Sequence, residues 1–148
     1  MIALGCDHAG YPLKEAIKQY LDSIGEQYTD FGTYSEESVD YPIFAAKTAH
    51  AVADGVCEKG ILCCGTGIGI SIAANKVKGI RAAVCSDAFS AEMTRKHNDA
   101  NILCMGARVI SEEKALELVR IFLTTDALHE ERHLRRVQML KDMENGKM

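Results

Sequence analysis

Apolar residues in this chain follow two alternating rhythms. Short continuous runs, "IALGC" (2–6), "GILCC" (60–64), "RAAVC" (81–85) and "NILCMG" (101–106), have the character of strands buried on both faces. Longer stretches between them repeat apolar residues three and four apart. In "YPLKEAIKQYLDSIG" (11–25), Leu13, Ile17, Tyr20 and Leu21 make one stripe, Pro12 suits a first turn, and Gly25 closes the helix. Further helices are predicted over 42–54, 68–77 and about 87–96. Another starts at Ser111, a capping residue followed by Glu112 and Glu113 in the first turn. "QYTDFG" (27–32) reads as a second strand, followed by a polar stretch.

Repeated strand–helix units predict a three-layer α/β/α domain over 1–148, with a five-stranded parallel sheet of Rossmann-like build. The first three strands are expected in the order 2-1-3, with the places of the last two open. The segment 126–148 has no strand after it to bring the chain home. Leu134, Val137 and Leu140 recur there at helical spacing, which predicts a helix docked on this subunit or on a partner rather than a frayed end.

Composition narrows the class. The chain has 148 residues, 47% hydrophobic and 26% charged, enough for a core that folds without staples. A net charge of −4 gives no basic field for nucleic acid. The longest apolar runs fall well short of the ~20 residues that span a bilayer. Met1 leads straight into "IALGC", with no basic n-region or small-residue cleavage site. A cytoplasmic location is expected. Cys6, Cys57, Cys63, Cys64, Cys85 and Cys104 then read as reduced thiols. No Cys-x-x-Cys or paired-His spacing predicts a metal.

In an open parallel sheet, ligands bind outside the carboxyl ends of the strands. The residues expected there are Asp7 and His8 after the first strand and Cys64 to Gly69 after the third. Ser86 and Asp87 follow the fourth, and Gly106 and Arg108 the fifth. Gly65, Gly67 and Gly69 can aim backbone N–H groups at an anion, and the helix expected from Ile68 adds its positive end. The loop is neither a Walker A motif nor G-x-G-x-x-G. Cys64 directly precedes it, and a thiol at a helix N-terminus is the kind that serves as nucleophile or base. Cys63, one residue back in a strand, faces the other way and reads as packing.

Other polar groups have two readings each. Asp7 and His8 are either turn chemistry or hands for a polar ligand. His97, in "RKHND" (95–99), is either a helix-end cation or a general acid–base. Arg132 and Arg136 are i and i+4, so they share a helix face, either solvated or gripping a phosphate.

Taken together, "GCDHAG" (5–10), "DYP" (40–42), "CGTGIGISIAANK" (64–76), "RAAVC" (81–85), "HNDANIL" (97–103), "GARV" (106–109) and "RHLRRV" (132–137) resemble the type B ribose-5-phosphate isomerase family. That family also contains allose-6-phosphate and galactose-6-phosphate isomerases. The resemblance implies aldose–ketose isomerisation through an enediolate, without metal or organic cofactor. It implies Cys64 as the base, with Thr66 passing a proton between substrate oxygens. His97 and Asp7 would open the furanose ring, and Asn98 would bind sugar oxygens. His8, Arg132 and Arg136 would clamp the phosphate, with Arg108 as a helper. Tyr41, Gly65, Gly67, Ile68 and Gly69 fall in the same substrate-binding motifs. It further implies a homodimer, able to pair again, whose sites are shared and whose tail helix (126–148) crosses to the partner. Another branch of the family carries a glutamate base six positions after the cysteine's place. Here that position is Ile70, which puts the chain with the cysteine branch. A competing reading, a non-catalytic phosphosugar- or nucleotide-binding module, needs the glycine loop but has no use for Cys64, His97 or the arginine pair. Within the family, the six-carbon sugar phosphates compete with ribose 5-phosphate.

Overall fold

The computed structural model describes all 148 residues, Met1 to Met148. In chain order the elements are β1 (Ile2–Cys6), α1 (Tyr11–Ser23), β2 (Tyr28–Asp30), α2 (Tyr41–Ala53), β3 (Lys59–Cys64), α3 (Ile68–Ala74), β4 (Ala82–Val84), α4 (Ala88–Asn98), β5 (Ile102–Gly106), α5 (Glu112–Thr124) and α6 (Glu131–Glu144). All strand pairings are parallel, in the order β2-β1-β3-β5-β4. The 2-1-3 expectation for the first three strands holds, and β5 inserts between β3 and β4.

Strand alternation divides the core between two faces. Ile61, Cys63, Leu103 and Met105 pack with Leu13, Ile17, Leu118 and Phe122 beneath α1 and α5. Leu62, Cys64, Ile102 and Cys104 point the other way, onto Ala45, Ala49, Ile70 and Ala74 of α2 and α3. The two adjacent cysteines of β3 therefore face opposite layers, as the register predicts.

Caps fall where the sequence puts them. The Ser111 hydroxyl accepts the Lys114 N–H at 3.1 Å at the head of α5, and Asp87 accepts the Ser90 N–H at 2.8 Å at the head of α4. Two elements are shorter than their patterns suggest. β2 ends at Asp30, whose carboxylate accepts the Gly32 N–H at 2.9 Å, although Phe31, Gly32 and Thr33 still bond to Leu4 and Cys6 of β1. α3 stops at Ala74 because Asn75 leaves the helix to pair with β4. Its side chain donates to the Ala82 carbonyl at 2.9 Å and accepts the Ala82 N–H at 2.8 Å.

Lys14 is a polar position that the helical pattern leaves unexplained. Only 1% of it is exposed. Its ammonium meets Asp30 at 2.6 Å and also donates to the Thr33 carbonyl, tying α1 to the turn after β2. Lys18 reaches the other Asp30 oxygen at 3.1 Å. Burial pushes the Asp30 carboxyl up, but hydrogen bonds from Lys14, the Gly32 N–H and Lys18 outweigh it and hold it below the ordinary aspartate value.

Candidate active site

The strand order reverses between β1 and β3, since the chain steps from β1 outward to β2 and then returns to β1's other side. In a doubly wound sheet, that reversal opens a crevice at the carboxyl ends of the two strands. The loops after β1 and β3 meet there, joined by the Asp7 N–H donating to the Cys63 carbonyl at 3.1 Å.

Asp7 is buried, and its Oδ1 accepts the Gly10 N–H at 3.0 Å, so one of its oxygens does cap the turn into α1. His8 is half-buried beside it. Its Nδ1 accepts the Val39 N–H at 3.1 Å. A ring nitrogen that accepts carries no hydrogen, so Nε2 is the donor and is directed elsewhere. The polar stretch after β2, which has no periodicity to mark it, thus fixes the tautomer of His8.

The loop after β3 wraps its own cysteine. Gly67 has φ +80°, a left-handed conformation that side chains resist, and this turns its N–H onto Cys64 Sγ at 3.1 Å. Thr66 is exposed, with its hydroxyl accepting the Ile68 N–H at 3.2 Å. Two side chains lean over the loop where glycine leaves room. A Cβ built on Gly65 would lie 3.4 Å from the Arg108 guanidinium, and one on Gly69 only 2.9 Å from the Tyr41 ring. The Arg108 N–H also donates to the Gly65 carbonyl at 3.0 Å, locking the loops after β3 and β5 together. Asp7, His8, Tyr41, Cys64 to Gly69 and Arg108 are thus brought to one sheet edge. Asp87 follows β4 on the same edge, but its carboxylate is occupied at the head of α4.

Cys64 differs from the other five thiols in its surroundings. Burial pushes Cys6 and Cys85 up to about 11. Cys63 and Cys104 are pushed well above the ordinary value, and Cys57 rises as well, again through burial. Only the Cys64 sulfur accepts a hydrogen bond from a loop amide.

The remaining residues lie elsewhere. α4 runs back antiparallel to the strands, so His97 and Asn98 at its last turn sit by the amino ends of β4 and β5. There the Arg81 side chain donates to the Asn98 carbonyl at 3.2 Å. About 13 Å of strand rise separates the Gly60–Ile102 rung from the Cys64–Gly106 rung, and His97 lies beyond the nearer one. Within one chain His97 and Cys64 are on opposite edges. Arg132 and Arg136 do share a face of α6, and both are exposed, with Arg132 paired to Glu130 at 3.0 Å. α6 packs on α4 and buries only His133, whose ring stacks on His97 with centroids 4.5 Å apart. Leu134, Leu140 and Met143 of the same helix stay exposed. A cavity of about 350 Å³ opens beside Asn98, Arg81 and Leu140, not at the thiol.

No group of three or more His, Cys, Asp and Glu side chains comes together in a way that could hold a metal ion. The fold and site define a doubly wound α/β protein with a thiol and a glycine-rich turn in one loop at the switch point. A family model described as Ribose/Galactose Isomerase matches residues 2–140. The chain is 49% identical to ribose-5-phosphate isomerase B of Escherichia coli over 144 residues, covering 97% of this chain and 95% of that protein. It is 46% identical to D-erythrulose-4-phosphate isomerase of Pectobacterium atrosepticum over 126 residues, covering 84% and 83% of the two chains. The structure of Clostridium thermocellum ribose-5-phosphate isomerase B superposes with a TM-score of 0.96 at 49% identity, covering 99% of each chain. This chain belongs to the ribose/galactose isomerase family.

Proposed function

We propose that this protein interconverts ribose 5-phosphate and ribulose 5-phosphate through an enediolate, with Cys64 as the base. One observation carries the reading: the Gly67 N–H holds the Cys64 sulfur at 3.1 Å inside the loop that also offers backbone donors to an oxyanion. The Cys64 thiolate takes the C2 proton of the open-chain aldose, the C–H electrons form the C1–C2 double bond, and the carbonyl oxygen takes the negative charge. Amides of the loop Gly65–Gly69 stabilise that oxygen. Thr66 relays a proton between O1 and O2, and Cys64 returns its proton to C1 as the ketose carbonyl forms. Nε2 of His8 and the Arg108 guanidinium receive the phosphate.

The working unit is a homodimer with shared sites, in which the last turn of α4 and the tail helix reach the partner's carboxyl edge. The separation of His97 from Cys64, the exposed arginines and the exposed apolar side chains of α6 support this arrangement. His97 and Asp7 then serve ring opening, and Asn98, Arg132 and Arg136 complete the sugar and phosphate contacts. The reaction is proposed to need no metal. A cytoplasmic location is proposed as well. Six buried free thiols fit a reducing compartment, and no helix is long and apolar enough to cross a membrane.

The test is conversion of ribose 5-phosphate by the purified chain in D2O, followed by proton NMR. Deuterium should appear at the exchanged carbon along with the ketose. The Pectobacterium relative gives specific weight to a second reading with a four-carbon substrate. Erythrulose 4-phosphate and allose 6-phosphate therefore run alongside, and preference for either over ribose 5-phosphate would reassign the substrate. Binding of all three without turnover would leave a binding module.

A further inference from the structure

His133 is the only buried residue of α6, with 5% of its surface exposed. Its ring lies on that of His97 at 4.5 Å between centroids, the two planes 8° apart. Rings stacked this way cannot hydrogen-bond to each other, because their N–H groups lie in their own planes. The stack therefore fixes the plane of His97 while leaving its nitrogens free at the exposed end of α4.

A hydrocarbon ring would fill the place without penalty. Instead, His133 Nε2 is buried with no hydrogen-bond partner. The nearest carboxylate, that of Glu130, is 3.9 Å away, too far for a hydrogen bond. Two imidazolium ions face to face would repel, so a proton on one ring opposes a proton on the other. The His97 ring at the open end of α4 can share that charge with water or with polar groups of a site it enters, and the buried ring cannot.

Resting on the isomerase reading above, we propose that His133 is the positioning residue for His97, holding its plane by stacking and leaving the pair's first proton to it. The surroundings agree. Arg132 and Arg136 on α6 and Lys96 on α4 oppose a charge on His133, with Lys141 and His129 lining the same recess. Glu130 favours a charge on His133, and Asp99 lies at the His97 end. Burial, then Arg132 and His97, push His133 below the ordinary histidine range despite Glu130. The Leu128 N–H donates to the Lys96 carbonyl at 3.0 Å and seats the start of α6 against this turn.

The experiment uses the full chain, His133→Phe and His133→Ala. In a nitrogen-15 NMR titration of the wild-type imidazoles, His97 should protonate as pH falls while His133 keeps the signature of a neutral ring. Protonation of His133 first, or of both together, overturns the proposal. This measurement needs no turnover, so it stands apart from the isomerase assignment. In kinetics on ribose 5-phosphate, His133→Ala should lower kcat by roughly tenfold or more with KM little changed. His133→Phe keeps a stacking ring and should recover most of that loss. Wild-type turnover in His133→Ala, or a Phe variant as impaired as the Ala variant while melting normally, also overturns it.

Discussion

The Gly67 amide reaches the Cys64 sulfur because Gly67 alone in its loop adopts a left-handed backbone, with φ +80° and an N to Sγ distance of 3.1 Å. The contact sets Cys64 apart within a strand whose other cysteine packs into the opposite layer. Cys64→Ala should reduce isomerisation by ~10²–10⁴-fold while binding of a phosphosugar persists. Cys63→Ala should cost some stability through lost packing and leave activity near wild type. Alkylation should be fastest at Cys64 and slowed by a phosphosugar. Full activity without Cys64 would remove it from the mechanism.

Subunit sharing can be read by complementation. Arg136→Ala should fold normally and raise KM by an amount equivalent to ~2–5 kcal/mol, the cost of leaving a buried charge without its partner. Refolding Cys64→Ala together with Arg136→Ala should create mixed dimers with one intact site. Random mixing would restore roughly a quarter of wild-type sites. No recovery would place both residues in one subunit's own site.

Ring opening separates from proton transfer by choice of substrate. Ribulose 5-phosphate cannot close to a furanose, because its phosphate occupies O5. His97→Asn should therefore slow ribose 5-phosphate turnover more than the first chemical step from the ketose. Equal loss in both directions would make His97 a binding or structural residue.

Metal independence is a direct assay. Activity should survive exhaustive chelation, since the reading assigns the enediolate charge to backbone donors. Loss that a divalent ion restores would refute the mechanism.

Asp30 gives a pH prediction for stability. Its folded-state value lies below the ordinary one, so its contribution is fully present above the unfolded pKa of about 4. It disappears as pH falls through the lowered folded value. Urea midpoints should drop between neutrality and pH near 3, and Asp30→Asn should flatten the part of that drop due to this group while lowering stability at neutrality. An unchanged acid dependence in the variant would show that the Lys14 pair does not couple to folding.

Much of the fold was legible because parallel strands buried on both faces leave continuous apolar runs, and helices flanking them leave periodic stripes. The ends were harder. α3 was predicted to run three residues further, and it stops because Asn75 binds Ala82, a pairing between side chain and backbone that periodicity does not record. The carboxyl-edge residues could be read from strand order alone, since Cys64, His8 and Arg108 all follow strands. His8's tautomer could not, because its partner is the amide of Val39, 31 positions away in a stretch without pattern. His133 was invisible for a related reason. Burial of a histidine in an otherwise exposed helix depends on what lies across from it, and only the packing of α6 on α4 reveals His97 there. Lys14 was hidden by its type, since lysine on a helix reads as solvent-facing until the carboxylate and carbonyl that receive it are placed.

Asn75 also bears on how the molecule behaves at high concentration. A sheet's outermost strand is ordinarily a template, offering unpaired N–H and C=O groups to any extended chain that drifts past. Here Asn75 satisfies both backbone groups of Ala82, the first residue of that strand, and the strand itself is only three residues long. The opposite border, β2, is equally short and ends in a turn. With both margins blunted, strand addition at either border is disfavoured, which leaves the helical and loop surfaces as the better places for copies of this chain to meet.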